Sequence, residues 1–295
     1  MNAISETLSR PHFIFEARDF RLPLGQRTKI MGILNLTPDS FSHDGIFVHT
    51  KSSHAQALAL GKKLILEGAD ILDIGGESTR PGAQRISAQE EIDRIIPTVK
   101  ALVKENKAPV SVDTYKPLVA QHALDAGASI INNIKGVSSE KKLLQMVRNY
   151  QAAIVLMHIR GTPKTMQRNI FYKNLISEII GELRKAIENC LEIGIKSDRI
   201  IIDPGVGFGK TAEQNLEIIA RLEAFKILNQ PILIGTSRKS FIGKILKKEV
   251  NERLMGTAAT VSACIFKGAH MVRVHDVLPI KEIVTMTDAI LLGNP

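Results

Sequence analysis

The segment EGADILD (67–73) closes a helix with Gly68 and opens a strand at Ile71, and the same punctuation returns as AGASIIN (126–132) and KGAHMVR (267–273). Three copies at one offset point to a repeated helix-to-strand unit. Outward from them, short apolar runs alternate with longer stretches of helical period. KIMGILNLT (29–37), ILDIGG (71–76), PVSVDT (109–114), SIINNI (129–134), AAIVLMHI (152–159), RIIIDPG (199–205), PILIGTS (231–237) and MVRVHD (271–276) read as buried strands of a parallel sheet. Helical spacing follows them, as in AQEEIDRIIPTVKALVKEN (88–106), YKNLISEIIGELRKAIENCLEIG (172–194) and NERLMGTAATVSACIFKG (251–268). Eight such units in about 265 residues predict an α/β chain folded as a single (β/α)8 TIM-type barrel, since doubly wound sheets more often hold about five to seven strands. The barrel is expected over 29–295. Residues 1–28 form an N-terminal pre-barrel segment, in which FIFEARDFRLPLGQ reads as a hairpin that could cover the barrel floor.

Composition narrows the function. The 295 residues are 44% hydrophobic, enough to fill one large core, and carry a net charge of +9, which favours acidic ligands. The basic residues are scattered singly or in pairs such as Lys62-Lys63, and aromatics are 4% with no Trp. Both facts argue against a nucleic-acid partner. Cys190 and Cys264 lie in apolar helical stretches without metal-ligand spacing and read as buried thiols of a reducing compartment. The N-terminus has no apolar run of signal-peptide length and no run could span a bilayer, so a soluble, cytoplasmic protein without a membrane partner is expected.

In such a barrel the carboxyl ends of the strands form the active face. Polar residues end almost every strand here: Asn35, Glu77, Asp113, Asn132, His158, Asp203, Ser237, then Arg273 and His275. One such residue is commonly a turn former or helix cap, but eight strand ends converging on one rim suit a polar, hydrogen-bonding heterocycle with an anionic appendage. Period-two alternation in MVRVHD sends Arg273 and His275 to the side of Met271, so two donors on one strand can grip one anion; the plainer reading pairs Arg273 with Asp113 or Asp203. The loops LTPDSFSHDG (36–45) and GGESTRPGA (75–83) read as anion-seeking, and GTSRKS (235–240) offers Arg238, Lys239 and a helix start. DPGVGFGKT (203–211) lacks phosphate-loop spacing and reads as a pocket wall with Asp203 as acceptor.

MGILNLTPDSFS (31–42), DIGGESTRPGA (73–83), VSVDTYKP (110–117), ASIINNIKG (128–136), LMHIRGTPKTMQ (156–167), DPGVGFGKT, GTSRKSFIG (235–243) and GAHMVRVHDV (268–277) together resemble the dihydropteroate synthase family. The resemblance covers residues 29 to about 290 in order. It implies a transferase that condenses 6-hydroxymethyl-7,8-dihydropterin diphosphate with p-aminobenzoate in folate biosynthesis and is a sulfonamide target. It also implies that Asp113, Asn132, Asp203 and Lys239 hold the pterin, between Ile134, Met157 and Phe208, with Asp113, Asp203 and Lys239 catalytic. Asn35, Thr79, Arg80, Arg273 and His275 would meet the diphosphate, with Asn35 a ligand of a Mg²⁺ cofactor. Phe41, Pro81, Lys239 and Ser240 would meet p-aminobenzoate, and the family tends to form homodimers through late helices.

Two positions depart from the family pattern. His43 and Asp44 replace the usual SFSDGG arrangement, and Asn132-Asn133 replaces Asn-Asp, removing a carboxylate beside the pterin contact. A methyltetrahydrofolate-dependent methyltransferase, or a non-catalytic pterin-binding paralogue, are the alternatives. The former has no use for TPDSFS or SRKS, and the latter should have lost Lys239, Arg273 or Asp113.

Overall fold

A computed structural model describes residues 10–37, 51–78, 83–105, 107–162, 164–167 and 170–293. It opens with an antiparallel hairpin, β1 (Phe13–Ala17) and β2 (Phe20–Leu24), turned at Arg18, whose φ is +54°. The eight apolar runs then form one parallel sheet: β3 (Lys29–Asn35), β4 (Ile71–Gly75), β5 (Val110–Asp113), β6 (Ile130–Asn133), β7 (Ala153–Met157), β8 (Ile200–Asp203), β9 (Leu233–Ile234) and β10 (Met271–Val274). Consecutive strands are neighbours from β3 to β8, β10 lies between β3 and β9, and a parallel bridge between Ile202 and Ile232 brings β8 against the approach to β9. The circle is thereby complete.

Helices α1 (Lys51–Leu66), α2 (Ala88–Glu105), α3 (Pro117–Asp125), α4 (Lys141–Asn149), α5 (Leu175–Ile193) and α6 (Ala212–Ala220) each follow one strand. Strand β9 is followed by α7 (Ser240–Leu246) and α8 (Leu254–Phe266), and β10 by α9 (Val277–Leu292). Their ends are set locally. Asn174 caps α5 by accepting from Ser177 N–H, Gly194 ends it in the left-handed region, and Thr211 and Gln214 form a reciprocal capping box on α6.

Strand alternation divides the core in two. Ile30, Leu34, Leu72, Ile74, Val110 and Val112 face the helices. Met31, Ile71, Ile130, Ala153, Val155, Ile201, Leu233 and Met271 fill the barrel, where Phe15, Ala17 and Leu24 of the hairpin join them. Two residues further along the same inward faces come Asp73, Asn132, Asp203 and Arg273, and Asp113 follows Ser111 in the same way. One polar layer therefore sits on one apolar layer, and it opens at the carboxyl ends of the strands. No helix among the described residues is long and apolar enough to cross a membrane. Cys190 and Cys264 are buried and free, and burial pushes the Cys190 thiol up to about 12.

Candidate active site

The polar layer is organised around Arg273. Its Nε donates to Asp73 Oδ2 at 2.6 Å and its Nη2 to Asp113 Oδ2 at 2.9 Å, while Asn132 Nδ2 donates to the same Asp73 oxygen at 3.0 Å. Asp73 is fully buried. The register explains the meeting: β3 pairs with both β4 and β10, and Asn132 lies opposite Asp113 on β6. Burial drives the Asp113 carboxyl up to about 7 against the pull of Arg273. The plainer reading of Arg273, a pairing with Asp113, is thus present, with Asp73 as an additional partner. Asp73 carried a usable signal, being the one charge within ILDIGG and in phase with Ile71.

The opposite wall comes from the loop after β8. Asp203 accepts from Gly205 N–H at 2.7 Å. Burial raises its pKa, and that N–H together with the charge of Lys239 acts against the rise. Lys239 lies along Gly207, where an added Cβ would stand 3.0 Å from its Cδ, and its Nζ sits 4.0 Å from the centre of the Phe208 ring. Burial, then the charge of Arg273, lowers its pKa to about 8. Phe208, Ile134 and Met157 pack with Ile159 and Met166 in a cluster separate from the two main cores, with Tyr115 against it. The three expected ring contacts are therefore brought together.

Ser237 accepts from His275 N–H at 3.2 Å, and its Oγ lies 3.0 Å from His275 Nδ1. Burial, then Arg273, pushes the His275 pKa down to about 3, so the ring is neutral, with Nδ1 in hydrogen-bond contact with the serine hydroxyl. Asn35 ends β3 beside Gly75, where an added Cβ would lie 3.4 Å from Asn35 Oδ1 and 4.0 Å from Asp113 Oδ2. Ser240 is exposed at the start of α7. Thr79, Arg80, Phe41, Pro81, His43 and Asp44 lie outside the described residues.

Four expectations need correction. Arg238 does not join Lys239 at an anion site: its guanidinium is held by both oxygens of Asp276, and its N–H donates to Thr257 Oγ1. His158 is wholly buried, with its ring against Lys210 and Glu182. Glu77 accepts from Tyr115 Oη, Ile86 N–H and Lys116 Nζ. Asn133 is on the outward phase of β6, where it bonds Ser139 and Lys135 N–H, so the missing carboxylate is not one that faces the barrel.

The family model described as "Pterin binding enzyme" matches residues 31–275. The dihydropteroate synthase of Clostridium beijerinckii is 46% identical over 271 residues, 91% of this chain and 96% of that protein. The chain belongs to the dihydropteroate synthase family. Two solved dihydropteroate synthases have the same fold. The Yersinia pestis enzyme, in complex with a sulfonamide drug, superposes with a TM-score of 0.88 at 37% identity over 96% of this chain and all of that one. The Xanthomonas albilineans enzyme in complex with 7,8-dihydropteroate gives 0.79 at 33% identity, over 92% and 96%. The family match begins in β3 and ends at His275, so it takes in every barrel strand and leaves the hairpin outside.

Proposed function

We propose that this chain joins 6-hydroxymethyl-7,8-dihydropterin diphosphate to p-aminobenzoate, giving 7,8-dihydropteroate and diphosphate. The observation that carries this reading is the convergence of Asp113, Asn132, Asp203 and Lys239 beside the apolar wall of Ile134, Met157 and Phe208. A flat pterin presents ring N–H groups to carboxylates and a ring carbonyl to an ammonium, and its faces need apolar cover. The methylene–oxygen bond breaks with its electron pair leaving on the diphosphate. The amine of p-aminobenzoate then forms the new C–N bond and gives up one proton to water. Asp113 and Asp203 favour the positive charge that develops on the pterin, while Arg273 and the neutral ring of His275, with Thr79 and Arg80, receive the departing anion. Phe41, Pro81, Lys239 and Ser240 hold p-aminobenzoate.

Asn35 fits Mg²⁺ at this site. Among the described residues no group of three or more His, Cys, Asp or Glu is arranged for a metal, but Mg²⁺ needs only one or two protein oxygens when waters and phosphates supply the rest. Asn35 Oδ1, which shares the open side of Gly75 with the Asp113 carboxylate, is such an oxygen. Bound there, Mg²⁺ would neutralise charge on the diphosphate. Met255, Met286 and Ile290 on α8 and α9 are 76%, 63% and 58% exposed, and support pairing with a second copy through these late helices, in a cytoplasmic enzyme.

Diphosphate release from the pterin substrate, followed with and without p-aminobenzoate and Mg²⁺, tests the reading. Release dependent on both, with dihydropteroate as product, is expected. A folded chain that forms no product with both present overturns it.

A further inference from the structure

Lys210 is 2% exposed, and burial pushes the pKa of its ammonium down to about 7. A charge so placed is tolerated only when its N–H groups are matched. Its Nζ lies 2.9 Å from Gly205 O, 2.9 Å from Phe208 O and 3.0 Å from His158 Nδ1, with His158 O at 3.4 Å. Three N–H groups thus meet three close acceptors. Two belong to the loop that carries Asp203 and Phe208, and the third to the residue after Met157. The loop is pressed flush on β7, because a Cβ on Gly205 would stand 1.9 Å from His158 O, and Gly205 holds φ +72°.

The acceptor on His158 is itself prepared. Burial pushes this ring down to about 4, so it is neutral, and Nε2 lies 3.2 Å from Glu182 Oε2 on α5. An ammonium can only donate, so Nδ1 is the acceptor and the ring proton falls on Nε2, which lies near Glu182 without hydrogen-bond geometry to it. Glu182 is held in turn by Arg160 at 2.6 Å, whose guanidinium also bonds Glu178 and lies 3.9 Å over the Tyr172 ring. A line of polar groups therefore runs from the outer face of α5 to the back of the β8 loop.

We propose that Lys210 is a positioning residue for the pterin half of the site, fastening the β8 loop to the end of β7 so that Phe208 and Met157 keep their separation and Asp203 keeps its direction. The inference rests on the pterin ligand proposed above. Lys210 acts through the loop and touches no substrate. The charge of Lys210 also acts on Asp203, with that of Lys239, against the effect of burial. Phe208, Met157 and Asp203 are assigned to the pterin, and of the residues assigned to p-aminobenzoate Lys239 rests on this loop, so the effect falls mainly on the pterin.

The test uses the full chain with Lys210→Met, which keeps length and removes the ammonium, and Lys210→Ala assayed with and without ethylammonium. Calorimetry with 6-hydroxymethyl-7,8-dihydropterin should show affinity about a hundredfold weaker in Lys210→Met, with KM for p-aminobenzoate within about twofold of wild type. Ethylammonium should restore at least about a tenth of the affinity lost in Lys210→Ala. Unchanged pterin affinity, equal losses for both substrates, or no response to the amine overturns the proposal. Should neither Lys210 variant fold, His158→Leu decides, with pterin binding about tenfold weaker expected and wild-type binding refuting. A wild-type chain that makes no dihydropteroate sinks the proposed reaction, whereas an active wild type beside a Lys210→Met chain of normal pterin affinity sinks this inference alone.

Discussion

Arg238 and Lys239 are adjacent cations with opposite fates. Arg238 has φ +57° and turns back to Asp276, while Lys239 is extended and lies across Gly207 to Phe208. The SRKS motif marks the pair in the sequence, but which cation enters the pocket depends on Asp276, which follows another strand. The lowered pKa of Lys239 has consequences whose sign can be worked out. Folded, it titrates at about 8, against 10.5 for an unperturbed lysine. At pH 7 the ammonium is present in both folded and unfolded chains, and its burial penalty is carried in full. Between those two pKa values the folded chain binds fewer protons, so this group makes stability rise with pH. Lys239→Met is therefore expected to melt no earlier than wild type at pH 7, with any advantage shrinking toward pH 10. Wild-type kcat/KM for the pterin substrate should fall above about pH 8 as the ammonium is lost. Thermal unfolding at the two pH values and a pH–rate profile check both, and a variant that melts far earlier at pH 7 would show Lys239 to be a net stabilising charge.

At the scale of elements, apolar runs located every barrel strand, but their lengths were set by what each end does. PILIGTS reads as seven residues of strand, whereas only Leu233–Ile234 form one, with a single bridge at Ile232, because the chain leaves the sheet at Gly235 to place Ser237 against His275. The strand-end position of Asn132 is legible from the same period that sends Asn133 outward, so alternation separates the inward contact from the outward one. Helix ends follow local chemistry and are legible in the same way. Thr211 accepts from Gln214 N–H at 3.2 Å, and Gln214 Oε1 accepts from Thr211 N–H at 2.9 Å. Thr211→Ala should cost about 1 kcal/mol of stability, read by urea unfolding, and a value indistinguishable from zero would mean that water caps α6 equally well.

At the scale of the molecule, Arg273 links strands that are far apart in the chain, with Asp73 200 residues away and Asp113 160. Arg273→Met leaves the buried Asp73 without its cation and should cost about 3–5 kcal/mol. Adding Asp73→Leu should recover part of that loss, because the stranded carboxylate is gone; a double variant as unstable as the sum of the single ones would show the two sites to be independent. At the other end, Phe15 of the hairpin is fully buried among Met31, Ile71, Ile201 and Met271. Phe15→Ala should destabilise by about 3–5 kcal/mol in a denaturant titration, with substrate KM values unchanged because the polar layer lies beyond the apolar one. A change in KM at constant stability would instead tie the floor to the site.

By itself, the sequence determined the barrel, through eight apolar runs each followed by a helical period, and it determined the inward residues Asp113, Asn132, Asp203 and Arg273, through a period of two. These are local properties, decided by which way successive side chains point. Only the tertiary structure decided the partners: Asp73 for Arg273, Asp276 for Arg238, and the loop carbonyls for Lys210. The register between strands and the path of each loop bring such groups within hydrogen-bond reach, and the spacing along a chain carries neither. Burial follows the same rule, since Lys210 reads as an ordinary lysine in GFGKT until β7 closes over it.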